Sequence, residues 1–213
     1  MPFGYLGTTP NQQLKNSGVF SVEEALQVQK DGEWGGSLEL ISTQTGDGSS
    51  LNIDFTSIKE NKYDVHLLQL QGIFFAGTNK LPRMRLSNDG GSSFEAGTNY
   101  VEAYQSIVAS TFAEVKSTGQ GYFNLINNVG NEATEVGNSY TYLYNLGNSS
   151  KYSFCTYQST SQTSGGTYCA STFGGGVYEV AETINAIRIF EATTTYNITG
   201  TAKLYGVKQL WVT

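Results

Sequence analysis

The chain has 213 residues, 14% of them charged and 13% aromatic, with 25 glycines and a formal net charge of −6. That length can bury one large β-domain's own core, and an acidic chain with no run of Lys or Arg excludes the electrostatic footprint of nucleic-acid binding. No apolar stretch approaches the ~18 residues that cross a bilayer as a helix, and the opening MPFGYLGTTP lacks the charged and apolar parts of a signal peptide, so the expectation is folding in a cytoplasm without membrane insertion.

Residues 1–20 scatter Phe3, Tyr5, Leu6, Leu14, Val19 and Phe20 among Gly and Pro, which predicts an extended arm with few internal contacts, suited to docking on a neighbour. Ser21-Val22-Glu23-Glu24 is a capping box opening one short helix, and Asp31-Gly32 ends it near Lys30. So short a helix is unstable alone and needs a surface to pack on. With Trp34 it completes a docking segment over 1–34, leaving 35–213 as a β-domain.

From residue 37 the period is two. Leu38 and Leu40 share a face opposite Glu39 and Ile41, and Leu51, Ile53 and Phe55 alternate with Asn52, Asp54 and Thr56. Tyr63, Val65 and Leu67 alternate with Asp64 and His66 before the phase slips at Leu68 and Leu70, which predicts a bulge or burial of both faces. Pro82, Met84 and Leu86 alternate with Arg83 and Arg85, and Pro82 marks an edge or a first residue. Weaker strand patterns cover 98–107, 107–116 and 122–127, and clearer ones 139–146, 151–158, 167–173 and 177–183. Ile187 and Ile189 flank Arg188 in the next strand, and Ile198, Gly200, Ala202 and Leu204 share one face of the last. About ten to twelve strands, turns every 8–12 residues and no second helix predict an all-β fold, a two-sheet jelly-roll sandwich with an N-terminal arm and one short helix.

Cys155 and Cys169 would lie opposite one another if 151–158 and 167–173 pair around 159–166. In a reducing compartment two buried thiols are then expected, not a disulfide. Two cysteines and one histidine make no zinc site of usual spacing, and neither a metal nor another cofactor is expected.

Ser87-Asn88-Asp89-Gly90-Gly91-Ser92-Ser93-Phe94 fits the Asp-box pattern, where an aspartate caps a tight β-turn over an aromatic; Asp89, Gly91 and Phe94 are therefore structural. Glu23-Glu24, Glu132/Glu135 and Glu179/Glu182 offer carboxylates in pairs, as a glycosidase needs, but no apolar flank raises one pKa, and they read as solvated. His66 would have to serve any Ser–His or Cys–His mechanism, yet sits on the polar side of its strand with no nucleophile elbow nearby. Gly174-Gly175-Gly176 lacks the lysine and helix of a phosphate cradle and reads as a bend between strands. Tyr140, Tyr142 and Tyr144 fall on one strand face, Tyr100 and Tyr104 on another, as stiff amphipathic patches that stack on sugar rings or bury against a second subunit. No catalytic residue is predicted.

Asn16–Ile41 (NSGVFSVEEALQVQKDGEWGGSLELI), Asp54–Leu70 (DFTSIKENKYDVHLLQL), Tyr142–Phe154 (YLYNLGNSSKYSF), INAIRIF and GTAKLYGVKQL together resemble a group of virion-associated β-proteins of tailed, chiefly marine, bacteriophages. The resemblance implies a jelly-roll head behind a docking leader, with no catalytic residue to carry over. The expected function is that of a non-enzymatic virion structural protein. It would be a fibre or receptor-binding head attached to other virion proteins through 1–34, homo-oligomeric (a trimer in a fibre), facing a host surface glycan and located in the virion. A capsid decoration protein and a glycan-degrading tail spike are the alternatives.

Overall fold

The computed structural model describes residues 37–208, apart from 110, 167 and 194, together with Glu23. The expected arm and capping-box helix, with Phe3, Tyr5, Leu6, Leu14, Val19, Phe20 and Trp34, lie outside the described residues except for Glu23, which is helical and exposed. The chain divides into two units, Met1–Glu39 and Leu40–Thr213.

Twelve strands follow one another: β1 (Leu38–Asp47), β2 (Asn52–Phe55), β3 (Val65–Phe75), β4 (Pro82–Ser87), β5 (Tyr100–Val108), β6 (Thr111–Gln120), β7 (Phe123–Asn124), β8 (Gly137–Tyr144), β9 (Ser153–Gln162), β10 (Cys169–Tyr178), β11 (Ala186–Glu191) and β12 (Ile198–Val207). They form two antiparallel sheets packed as a sandwich of jelly-roll type. The large sheet has eight strands in the order β1-β12-β3-β8-β9-β10-β5-β6, the small one four in the order β2-β11-β4-β7. β11 and β12 belong to different sheets, and the loop between them crosses the sandwich.

Alternation places the core. Ile53 and Phe55 of β2, Met84 and Leu86 of β4, and Ile187 and Ile189 of β11 face Leu68, Leu70, Ile73 and Phe75 of β3 and Ala202 and Leu204 of β12. Pro82 is the first residue of β4, and its carbonyl accepts from Leu125 N–H at 3.0 Å. Leu38 and Leu40 do not join this core: both are exposed, and it is Ile41 that packs against it.

In β3 the inward set is His66, Leu68 and Leu70, so the phase inferred from Tyr63, Val65 and Leu67 is inverted. His66 is fully buried because its Nε2 meets the Ile58 carbonyl at 2.9 Å, which makes a polar residue acceptable inside. The register slip comes later, between Leu70 and Ile73, where Gly72 adopts φ 62°. Gly174–Gly176 is no bend either; it lies within β10, between β9 and β5. A Cβ on Gly174 would collide with the Tyr104 Cβ, and one on Gly176 would stand 2.6 Å from the Phe123 ring, so close approach excludes side chains there.

The cysteines do not face one another. Cys155 pairs with Gly176 and Cys169 with Gln162; both are free thiols, Cys155 buried and Cys169 exposed. The hairpin turns at 163–168, later than the sequence suggested, and the two thiols point to opposite sides of the sheet.

Candidate binding face

An antiparallel sheet commonly covers its core with one face and meets water with the other. The outward residues of the large sheet are unusual for a solvated face. Tyr140, Tyr142 and Tyr144 alternate outward along β8, with Phe154 on β9 and Phe173 on β10; Tyr140, Phe154 and Phe173 are 46, 45 and 44% exposed. By register, Tyr140 is opposite Gln158, Gln158 opposite Phe173, Phe173 opposite Gln105, and Gln105 opposite Glu114, a row spanning five strands from β8 to β6. Tyr140 and Phe173 therefore stand about 10 Å apart, two strand spacings.

Two of the three tyrosine hydroxyls are held. Tyr140 donates to Gln158 Oε1 at 2.6 Å, and the Tyr144 hydroxyl lies 3.2 Å from Thr156 Oγ1. The Tyr140 and Tyr142 rings meet edge to face, centroids 6.4 Å apart. Fixed rings with a solvated face lose little conformational freedom when something stacks on them.

At the Tyr144 end the stripe runs into a polar pocket of about 300 Å³, lined by Asp64, Tyr144, Asn145, Asn148 and Lys151. Its floor is a tight turn in which Asn148 N–H donates to the Asn145 carbonyl at 3.0 Å and Asn145 N–H to the Asp64 carbonyl at 3.1 Å. Asn145 takes φ 65°, a left-handed conformation that asparagine tolerates. Gly147 is required because a Cβ there would collide with the Glu60 carbonyl oxygen. At the far end of the face, Gln105, Glu114, Lys116 and Phe173 line a shallow cleft of about 550 Å³.

Tyr100 does not belong to any such patch. It is fully buried, packed on Phe123 and Tyr178 with ring centroids at 4.8 and 4.9 Å. Its hydroxyl donates to the Glu95 carbonyl and accepts from Leu86 N–H, both at 3.0 Å, and burial drives its pKa upward. Tyr104 shares that inward face and packs half-buried against the core, 6.4 Å from the Tyr157 ring, so it too leaves the candidate surface. The error came from phase: β5 turns its even residues inward, with Glu102 and Ser106 buried among them.

The carboxylates are mostly in structural use. Glu135 is buried and accepts from Asn131 N–H at 3.2 Å, against the expectation of a solvated pair with Glu132. Glu182 accepts from Asn88 Nδ2 at 2.7 Å and the Tyr178 hydroxyl at 2.8 Å. Glu102, which the sequence offered no reason to single out, is buried with its pKa raised by desolvation, and both the backbone and side-chain N–H groups of Asn124 donate to it. Asp89 accepts from Ser93 N–H (2.9 Å), Ser93 Oγ (2.6 Å) and Ser87 Oγ (2.8 Å), and these bonds hold its pKa at about 2. Gly91 turns there at φ 87°, and Phe94 lies under Arg188, whose guanidinium carbon is 4.0 Å from the ring centre.

The chain's three arginines, Arg83, Arg85 and Arg188, gather on the outer face of the small sheet, where Arg85 registers directly beside Arg188. Each stacks on an aromatic ring: Arg83 on Tyr122, Arg85 on Phe190, Arg188 on Phe94. Absence of a basic run along the chain thus concealed a basic cluster in space. Among the described residues no three His, Cys, Asp or Glu side chains are placed to hold a metal, and no helix is long and apolar enough to cross a membrane.

Compared with protein-family models, with curated proteins and with solved structures, the chain matches none.

Proposed function

We propose that the chain is a non-enzymatic structural protein of a bacteriophage virion, a receptor-binding head docked to the particle by residues 1–34, and that the outer face of the large sheet contacts a host surface glycan. The observation that carries the binding reading is the stripe of tyrosine rings along β8, which runs into the Asp64–Lys151 pocket and is crossed at Tyr140 by the row of rings and amides. Saccharides are bound by that combination: ring faces cover the apolar side of a sugar, and amides, carboxylates and an ammonium meet its hydroxyls. Two segments that carry the phage resemblance, Asp54–Leu70 and Tyr142–Phe154, meet at this pocket, which supports placing the contact there.

A capsid decoration protein is the second reading. Phe154 and Phe173, which offer no hydroxyl to a sugar, suit contact with a protein neighbour. Copy number in purified particles separates the two, hundreds indicating decoration and tens a fibre or spike.

The deciding experiment measures binding of the purified head to host cells and to their isolated surface polysaccharide. Tyr142→Ala and Lys151→Ala should each weaken binding about tenfold at unchanged melting temperature. Undiminished binding in both variants would remove the face from consideration, and release of reducing ends would overturn the non-enzyme reading. Deletion of residues 1–20 should leave a folded head absent from the virion; normal incorporation would defeat the docking role.

A further inference from the structure

β6 is the last strand of the large sheet, bonded to β5 along one side and to no described strand along the other. It is ten residues long, and none of the ten is buried. At its start Phe112 is 56% exposed, directly across from Ile107 at 40%. A long edge with open N–H and C=O groups and exposed apolar residues is a template for another strand, and isolated domains usually blunt such edges. β6 carries two charges in its middle, Glu114 and Lys116, flanking Val115. By register both alternate with Val115 and point to the same side as Gln105 and Ala103, the outer side of the sheet.

We propose that this edge is closed by the same edge of a second copy, the two β6 strands pairing antiparallel about a two-fold axis through Val115. That register sets Glu114 opposite the partner's Lys116 and Lys116 opposite the partner's Glu114. The spacing is self-complementary, as an isologous contact requires, and opposite charges directly across an antiparallel pair stabilise it. Each copy has one β6 edge, and a β6–β6 contact uses it on both sides, so this contact closes at two. Directly paired residues share a face, and the outer sides of both large sheets therefore lie on one side of a continuous sheet. The row from Tyr140 to Glu114 would continue into the partner, and any ligand held by that face would meet it twice, with a gain in avidity. The pairing itself does not rest on the glycan reading.

Charge reversal of the purified full chain tests it, with oligomeric state read by sedimentation over a wide concentration series. The wild type should be a dimer. Glu114→Lys and Lys116→Glu each turn both contacts into like-charge pairs and should raise the dissociation constant about tenfold. The double variant should restore the dimer. Mixing the two single variants should restore it too, because one then carries lysine at both positions, the other glutamate at both, and every contact between them joins opposite charges. A wild-type monomer at every concentration, a trimer, or single reversals that leave the dimer unchanged or are not rescued by mixing would each overturn the proposal.

Discussion

Arg188 and Asp54 face each other across β11 and β2, and the guanidinium holds the carboxylate by two parallel bonds, Nε to Oδ1 at 2.8 Å and Nη2 to Oδ2 at 2.6 Å. Phe94 from the Asp89 turn lies against the same guanidinium, so this pair ties the turn to the small sheet. It also supplies the negative charge beside Arg188 where Arg85 is its other neighbour.

Asp54→Asn should lower stability by about 1 kcal/mol in urea unfolding, since the side chains are 31 and 29% exposed and water screens part of the interaction. Arg188→Lys should cost as much, because an ammonium reproduces neither the two-bond geometry nor the stack on Phe94. A lysine variant as stable as the wild type would show that charge alone matters there.

The Asp89 turn makes stability depend on acid. With a folded pKa of about 2 against an ordinary 3.8, Asp89 binds its proton more weakly in the native than in the unfolded chain. Its contribution is complete above the ordinary value and fades as pH falls from about 4 through 2. Asp89→Ala should destabilise the protein at neutral pH and flatten the stability profile across that window, measured by denaturant titrations at stepped pH.

His66 adds a second window. Burial holds its pKa below the ordinary 6.5, so the unfolded chain takes up a proton that the folded one refuses. Stability should therefore decline as pH drops below 6.5. His66→Gln should abolish that slope while leaving the lower one due to Asp89; a slope that survives the substitution would assign it to another group.

Thr141 lies fully buried on the inward side of β8, and its hydroxyl has no hydrogen-bond partner among the described residues. Ser139 on the same strand, and Tyr157 and Ser159 opposite on β9, share that condition. Burying a hydroxyl without a partner is unfavourable, so Thr141→Val, which keeps the shape, should raise stability by about 1 kcal/mol. A fall in melting temperature would mean the hydroxyl is satisfied in solution.

The fold class was legible because alternation is unambiguous in β2, β4 and β12, where Ile53/Phe55, Met84/Leu86 and Ala202/Leu204 face inward between polar neighbours. Phase failed where side chains are amphipathic. The polar atoms of Tyr100 and His66 point to an outward place in the sequence pattern, but a carbonyl partner lets each sit inside. Leu38 and Leu40 misled in the opposite sense, as apolar residues on an edge strand. The Tyr140–Tyr144 stripe could be read from one strand alone. The pocket beside it could not: Asp64 and Lys151 lie far apart along the chain and meet because β3 pairs with β8, Val65 opposite Tyr144, with the Asn145–Asp64 backbone bond extending the ladder. The arginine cluster was hidden in the same way, Arg188 reaching Arg85 by strand order and not by proximity along the chain.

Placement of β11 between β2 and β4, and of β12 between β1 and β3, has a bearing on biosynthesis. Neither layer can zip shut until residues 186–207 have left the ribosome, so a nascent polypeptide halted earlier would display two open seams at once. Chains truncated before residue 207 should accordingly be protease-sensitive and chaperone-dependent, and chains that include it abruptly resistant.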